Sequence, residues 1–384
     1  MVTTMTALEG HEVLQRSNLD RYPWPETLAA NQITRLWTPQ DGLAVAAAAT
    51  RIPLDIERVI AATSHLATPD RILWILSHDA VNFNGVTAVR NEPKWRDRLA
   101  ACVERGESIP IAYPLFCAIA NPAKQITRPG AHAGELASLH WFRHVDSLVR
   151  AVYEPGLIIH ILSDATLYNN ALQNTLAFAY GYIDQAREMV GEAGAAHCVR
   201  IHDYAALLAP FAREFDRLYN GFYARLAAGD QTLISAPDRE RLIRSIRASV
   251  NTERLGLTYE DCGALFGPGG VHPLAPRVEA MAQAALLDQI AVKLACVQLD
   301  LPERLWPGHI RASCHKGLKS GVAVVGLRVY PEYYKRSKLL PYHGKPLLRA
   351  DGRLVVEPEF LPRSRADLVR VENEHGQSLL YCES

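Results

Sequence analysis

Long hydrophobic runs are missing from this 384-residue sequence. Its longest uninterrupted apolar stretches fall far short of the roughly 20 residues that a membrane-spanning helix needs. Net charge is missing too, because 41 basic and 41 acidic residues cancel. Without an overall field, nothing draws the chain to nucleic acid or to an anionic membrane. Cysteine is sparse and unpatterned: seven residues, at 102, 117, 198, 262, 296, 314 and 382, with no Cys-x-x-Cys. That excludes a zinc cluster and a disulfide framework, and predicts a reducing, cytoplasmic setting. The first residues, MVTTMTALEGHEVLQ, have no basic stretch followed by an apolar core, so no secretory signal is expected. Repeats and low-complexity segments are absent as well.

Several catalytic signatures are also lacking. Gly267-Pro268-Gly269-Gly270 has no following Lys-Ser/Thr, so it is not a phosphate-cradling loop. GxSxG, HExxH and GxGxxG do not occur. The usual serine-hydrolase, zinc-peptidase and dinucleotide readings therefore have no support.

What is present is a globular composition, 48% hydrophobic and 21% charged. The length allows two or three domains, or one large α/β domain with additions. The organising stretch is Tyr153–Asn170, YEPGLIIHILSDATLYNN. Pro155 and Gly156 set a turn, and Leu157–Leu162 is a six-residue apolar run ended by Ser163-Asp164. A run of that length between turn signals fits a strand buried on both faces. In an open α/β sheet the ligand crevice lies beyond the carboxyl ends of such strands, which puts Asp164 at the crevice. The alternative is that Asp164 merely caps the next helix.

Around this stretch the pattern alternates. Ser108–Phe116 reads as a first strand, and its prolines suggest an edge position or an early stop. Gly134–Val152 has apolar residues at helical spacing, so residues 108–162 form a β-loop-α-β unit with a right-handed crossover and parallel pairing. Asn170–Gly191, Tyr204–Ala227, Pro237–Val250 and Val278–Leu299 read as helices, Cys198–Asp203 and Ile310–Cys314 as strands, and Gly256–Pro268 as a glycine-rich loop. Short helices are expected before residue 84, and short strands and turns after 330. The fold class is α/β: a Rossmann-like, mostly parallel sheet flanked by helices, with a helical N-terminal extension (1–84), a catalytic unit (85–350) and a smaller C-terminal α+β part with strands and tail (351–384).

Among 14 histidines two are placed for chemistry. His315 follows a short strand on which Arg311, Ser313 and His315 alternate onto one face. His343 sits at a loop tip between Pro341 and Gly344. His140 and His144 are i, i+4, a possible metal pair, but no third ligand appears at recognised spacing, so they read as a solvated helix face. Lys124, Arg128, Arg311, Lys316 and Lys319 fall in loops or at strand ends, where a cation can grip phosphate or simply stand in solvent. Cys314 is next to His315, and neighbours on a strand face opposite ways, which argues against a Cys–His nucleophile pair.

Three segments, in order, resemble the isonitrile synthase family, whose other branch is the yeast spore-wall dityrosine enzyme. They are Pro114-Leu115-Phe116 through Asn121-Pro122-Ala123-Lys124 with Gly134–Leu139; Tyr153–Gly156 through Ser163-Asp164; and Ile310–His315 with Pro341-Tyr342-His343. The departures are specific. Cys117-Ala118-Ile119 stands where the family pattern carries a Lys, Ala165 replaces a Gly, Ala312 a Leu, and Tyr342 a Trp. The resemblance implies an enzyme that joins the α-amine of an aromatic L-amino acid to ribulose 5-phosphate and keeps the sugar's C2 as the isonitrile carbon. It implies no metal and no cofactor, with an iron/2-oxoglutarate oxygenase as the partner class acting next on an isonitrile. An N-formyl amino acid is the alternative product, and a non-catalytic small-molecule-binding protein the alternative role. That chemistry needs acid–base groups, for which Asp164, His315 and His343 are the candidates. It needs grips for phosphate and carboxylate, for which the candidates are Arg311, Lys319 and Lys124, with Ser163 and Ser313 as hydroxyl donors.

Overall fold

A computed structural model describes residues 22, 24–127, 129–252, 255–266, 272–314 and 324–383. Arg128, His315, Lys316 and Lys319 lie outside the described residues. The strands are β1 (Ile33–Leu36), β2 (Ile109–Pro114), β3 (Leu157–Ser163), β4 (Val199–Asp203), β5 (Ile310–Ala312), β6 (Val324–Val325), β7 (Lys345–Leu348), β8 (Leu354–Glu357), β9 (Leu368–Glu372) and β10 (Ser378–Glu383). They form two five-stranded sheets, ordered β4-β3-β2-β5-β6 and β1-β9-β10-β7-β8.

The first sheet is parallel throughout, with Ile111 opposite both Ile159 and Ile310, and Ile159 opposite Val199. Both faces are covered, which is why β3 needs an apolar run, interrupted in LIIHILS only at His160. Ile111, Tyr113, Ile159 and Ile161 join the core that includes Leu139, Phe142 and Val145 of the Ala133–Arg150 helix. Ala112 and Leu162, on the other face, pack with Tyr204, Val292, Cys296 and Leu299. The turn before β3 demands its glycine: Gly156 has φ +66°, and a Cβ there would stand 2.5 Å from an Asp146 carboxylate oxygen.

The prolines of β2 do not place it at an edge; it is the central strand. The physical reason is local. Ile109 and Leu115 donate their N–H groups to the β3 side, to Gly156 and Leu162, so alternate residues turn toward β5. β5 spans three residues and pairs with Ile111 and Ala112, leaving Pro110 and Pro114 where no ladder donor is required.

Other expectations are corrected by the structure. His140 and His144 are not a solvated face: the Ala133–Arg150 helix is buried nearly all round, His140 is 7% exposed, and burial pushes its pKa down to about 4. The Tyr204–Ala227 helix is interrupted at Pro210, giving Tyr204–Leu208, a 3-10 turn, and Ala212–Ala227. The stretch read as a glycine-rich loop contains a helix, Tyr259–Phe266, whose Tyr259, Cys262 and Leu265 are buried. Residues before 84 form helices Pro39–Thr50, Ile56–Thr63 and Thr68–Ser77, and also contribute β1.

The helix Ala275–Leu299 closes the second face of the parallel sheet. Leu286, Ile290 and Leu294 pack with Leu226 of the Ala212–Ala227 helix and with Ile243 and Ile246 of the Ala236–Arg247 helix. Among the described residues, the helical stretch Ala275–Leu305 is long and apolar enough to cross a membrane by length and composition. Short apolar runs hid this, because Gln283, Asp288 and Lys293 interrupt the sequence while the average stays apolar. In this fold the helix is a packing element, with half of that window buried.

The second sheet is mixed. β1 runs parallel to β9 and β7 parallel to β10, while β9 and β10, and β7 and β8, are antiparallel. It is tied to the loop leading out of β2 through Glu359. That carboxylate accepts from the Thr127 N–H, the Thr127 hydroxyl and the Tyr381 hydroxyl, and the Glu359 N–H donates to the Lys124 carbonyl.

Candidate active site

The strand order reverses between β2 and β5: the chain adds β3 and β4 on one side, then crosses back to lay β5 and β6 on the other. A crevice opens beyond the carboxyl ends of the strands at such a switch point. Here it is a cavity of ≈ 170 Å³. β2 supplies Ala112 and Pro114, β3 and its end supply Leu162 and Asp164, and β5 and its end supply Arg311, Ala312, Ser313 and Cys314. Lys293, Cys296 and Val297 come down from the Ala275–Leu299 helix, and the rest of the wall includes Tyr168, Tyr204 and Tyr342.

Asp164 does not cap a helix. The next helix begins at Leu176, and its cap is Thr175, whose hydroxyl accepts from the Phe178 N–H at 3.1 Å. The residues directly after Asp164 form turns. One carboxylate oxygen, Oδ1, is buried with no hydrogen-bond partner among the described residues. Burial raises the pKa from 3.8 to about 6, opposed by a hydrogen bond from the Cys117 thiol and by the charge of Lys293. A carboxyl poised there can both give and take a proton near neutrality.

Lys293 faces it. Burial pushes its ammonium down to about 8, the neighbouring Arg311 guanidinium adds to that, and Cys314 and Asp164 oppose it. The thiols of Cys117 and Cys296 are held up by burial, Cys296 to about 12, so they stay protonated at neutral pH. Burial also raises the phenols of Tyr168, Tyr204 and Tyr342 well above their usual value.

The other sequence candidates divide. Ser313 lines the cavity with Arg311. Ser163 does not: its hydroxyl is fully buried and donates to the Phe116 carbonyl at 2.6 Å, holding Phe116 at φ +67° just after β2. Lys124 is also buried away from the cavity wall. Its Nζ donates to Ser249 Oγ at 2.7 Å, and burial lowers its pKa to about 7, with Cys117 opposing. His343 closes the Pro341–His343 turn and packs edge-on against Tyr342, with ring centroids 4.7 Å apart, so its neighbour forms the wall. His315 and Lys319 fall outside the described residues.

Lys293 was missed by the motif reading. The signal was available: it is the lone basic residue of the apolar stretch Val278–Leu299. A cation there must be paired, or face a cavity.

Known proteins resemble the chain over this same region. Residues 99–259 match the family model of pyoverdine/dityrosine biosynthesis proteins. That segment holds β2, β3, β4 and Asp164, and ends before Lys293 and Arg311. An L-tyrosine isonitrile synthase of Pseudomonas aeruginosa is 29% identical over 170 residues, 42% of this chain and 51% of that protein. The match thus spans about half the length of that relative. The crystal structure of the PvcA protein from Pseudomonas aeruginosa shares the fold, with a TM-score of 0.65 at 22% identity, covering 83% of this chain and all of that one. Over residues 99–259 the chain is thus similar to the pyoverdine/dityrosine biosynthesis proteins, and it shares the fold of the PvcA structure.

Proposed function

We propose that this chain is an isonitrile synthase-like biosynthetic enzyme, condensing the α-amine of an L-amino acid with ribulose 5-phosphate to give an isonitrile. The observation that carries this reading is the meeting of Asp164, Lys293, Arg311 and Ser313 in one cavity at the sheet's switch point. An amine can attack a ketone only when neutral, and the ketone oxygen must receive a proton. Asp164, with its pKa near 6, is suited to move that proton. Arg311 is a fixed planar cation for phosphate or carboxylate, with the Ser313 hydroxyl beside it. Tyr168, Tyr204, Tyr342 and Leu162 supply apolar surface for an aromatic side chain.

The seven free cysteines, six of them buried, support a reducing, cytoplasmic setting. An isonitrile product would pass to an oxidising enzyme, of which an iron/2-oxoglutarate oxygenase is the partner class.

One observation favours a second outcome on the same scaffold. Where the family pattern carries a Lys after the first strand, this chain has Cys117-Ala118-Ile119, and the Cys117 thiol hydrogen-bonds the Asp164 carboxylate. A protonated thiol cannot replace a cation, and the sequence of proton transfers could then end at an N-formyl amino acid.

The deciding experiment incubates the purified protein with ribulose 5-phosphate and each of the twenty amino acids, with mass-spectrometric detection. An isonitrile from an aromatic amino acid is the expected result. An N-formyl product establishes the second outcome, and consumption of neither substrate makes the chain a binding protein.

A further inference from the structure

We infer that Lys293 is the covalent catalyst of this site, forming an imine with the C2 ketone of the sugar phosphate before the amino acid's amine takes its place. The inference rests on the functional reading above and names the residue that starts the reaction.

The geometry is that of a lysine built to be a nucleophile. Lys293 projects from a helix that is otherwise a packing element, and its side chain lines the cavity at the ends of β2, β3 and β5. Arg311 and Asp164 stand on the same wall, one of each charge. Lysine becomes nucleophilic when it is desolvated or placed beside another cation, because both destabilise the ammonium. Lys293 has both features, and its pKa of about 8 agrees with them. A lysine kept only to bind phosphate would gain nothing from burial beside Arg311, since both effects weaken the charge it would bind with.

The step balances without any outside reagent. The neutral Lys293 amine adds to C2, forming the C–N bond as the ketone oxygen takes up a proton. The Asp164 carboxyl protonates the resulting hydroxyl, the C–O bond breaks, water leaves, and an iminium remains on Lys293. The α-amine of the amino acid then adds to C2. The Lys293 nitrogen departs with a proton, leaving the amino acid joined to C2 as an imine. The net change is amine plus ketone to imine plus water. The Cys117 thiol, donating to Asp164, steadies the carboxylate between these proton transfers.

The test treats the full-length protein with ribulose 5-phosphate and sodium borohydride, followed by intact-mass measurement and peptide mapping. The expected result is a mass gain equal to the sugar phosphate less one oxygen atom, on the peptide carrying Lys293. Lys124 is the internal comparison, because it too is buried with a lowered pKa but lies off the cavity wall. Lys293→Arg keeps the charge but cannot form the imine. It should lose the adduct and at least about a hundredfold in turnover, while sugar phosphate still raises its melting temperature. Turnover by the wild type with no trapped adduct overturns the imine and leaves the functional reading standing. So does an adduct on Lys124, or turnover by Lys293→Arg within about threefold of wild type. No adduct, no turnover and no thermal shift overturns both. The wild-type trapping result decides the matter even if the variant fails to fold.

Discussion

At the scale of single residues, burial gives Asp164 a pH signature that can be measured. Its folded pKa of about 6 lies above the 3.8 of an ordinary aspartate, so ionising it opposes folding. That cost is absent below about pH 4, grows as the pH rises toward 6, and is complete above it. Asp164→Asn should therefore stabilise the protein by roughly 1–3 kcal/mol at pH 7.5 and leave it nearly unchanged at pH 4. Turnover should fall by about 10²–10⁴-fold, because Asn cannot carry the proton. Melting curves at the two pH values and steady-state rates check both halves. A loss of stability at each pH, with turnover retained, would return Asp164 to a structural role. Ser163, its neighbour in sequence, should behave in the opposite way. Ser163→Ala removes the bond to the Phe116 carbonyl and leaves a buried acceptor unpaired, costing about 1–3 kcal/mol. The Michaelis constant for the sugar phosphate should not move, because Ser163 lies off the cavity wall. Urea titration and initial-rate kinetics separate the two effects. Asp164 was legible in sequence because it follows a short apolar strand, and Arg311 because alternation along β5 sets which side chains share a face. Lys293 carried its signal where no motif reaches, as the lone cation of the apolar stretch Val278–Leu299. His140 and His144 misled because i, i+4 spacing says nothing about whether a helix is covered on every side.

At the scale of elements, the parallel sheet followed from period and length, and its central strand did not. Proline argues for an edge only when the neighbouring strand is long enough to need the missing donor, and β5 is three residues long. The shortness of β5 cannot be read from β2. The helix Tyr259–Phe266 was hidden for a related reason: flanking glycines dominated a segment whose buried Tyr259, Cys262 and Leu265 have helical spacing. Tertiary joints are the least visible in sequence, and Glu359 is the clearest of them. It gathers Thr127, Tyr381 and the Lys124 backbone, and its charge favours the buried ammonium of Lys345, which donates to the Ser378 carbonyl at 2.9 Å. Glu359→Ala should leave Lys345 with only Glu135 to offset its burial, strip Thr127 and Tyr381 of their acceptor, and cost about 3–5 kcal/mol. It should also loosen the 121–127 loop. Urea unfolding gives the first quantity, and faster amide exchange at Thr127 gives the second. A loss under about 1 kcal/mol would mean that the second sheet holds its place without this joint.

At the scale of the whole molecule, the chain carries no net charge, yet the described part of its cavity brings two basic side chains to one carboxylate. A sugar phosphate should therefore find this site by local geometry, with no help from a general field. Any ligand bound only by the native state stabilises it by mass action, by about 2.7 kcal/mol at a hundredfold excess over its dissociation constant. Ribulose 5-phosphate should accordingly raise the melting temperature, and inorganic phosphate should raise it less, having no carbon skeleton to fill the cavity. Because Arg311 lies inside a cavity, moderate salt should weaken the shift only slightly, whereas surface binding would be screened over a Debye length of about 8 Å at physiological ionic strength. Arg311→Ala should abolish the shift. The measurement is a set of melting curves with sugar phosphate, with inorganic phosphate and with added salt, for the wild type and the variant. An undiminished shift in the variant would move the anion site away from β5. A shift that vanishes at moderate salt would move it to the surface, and in either case the cavity at the switch point would lose its claim on the phosphate.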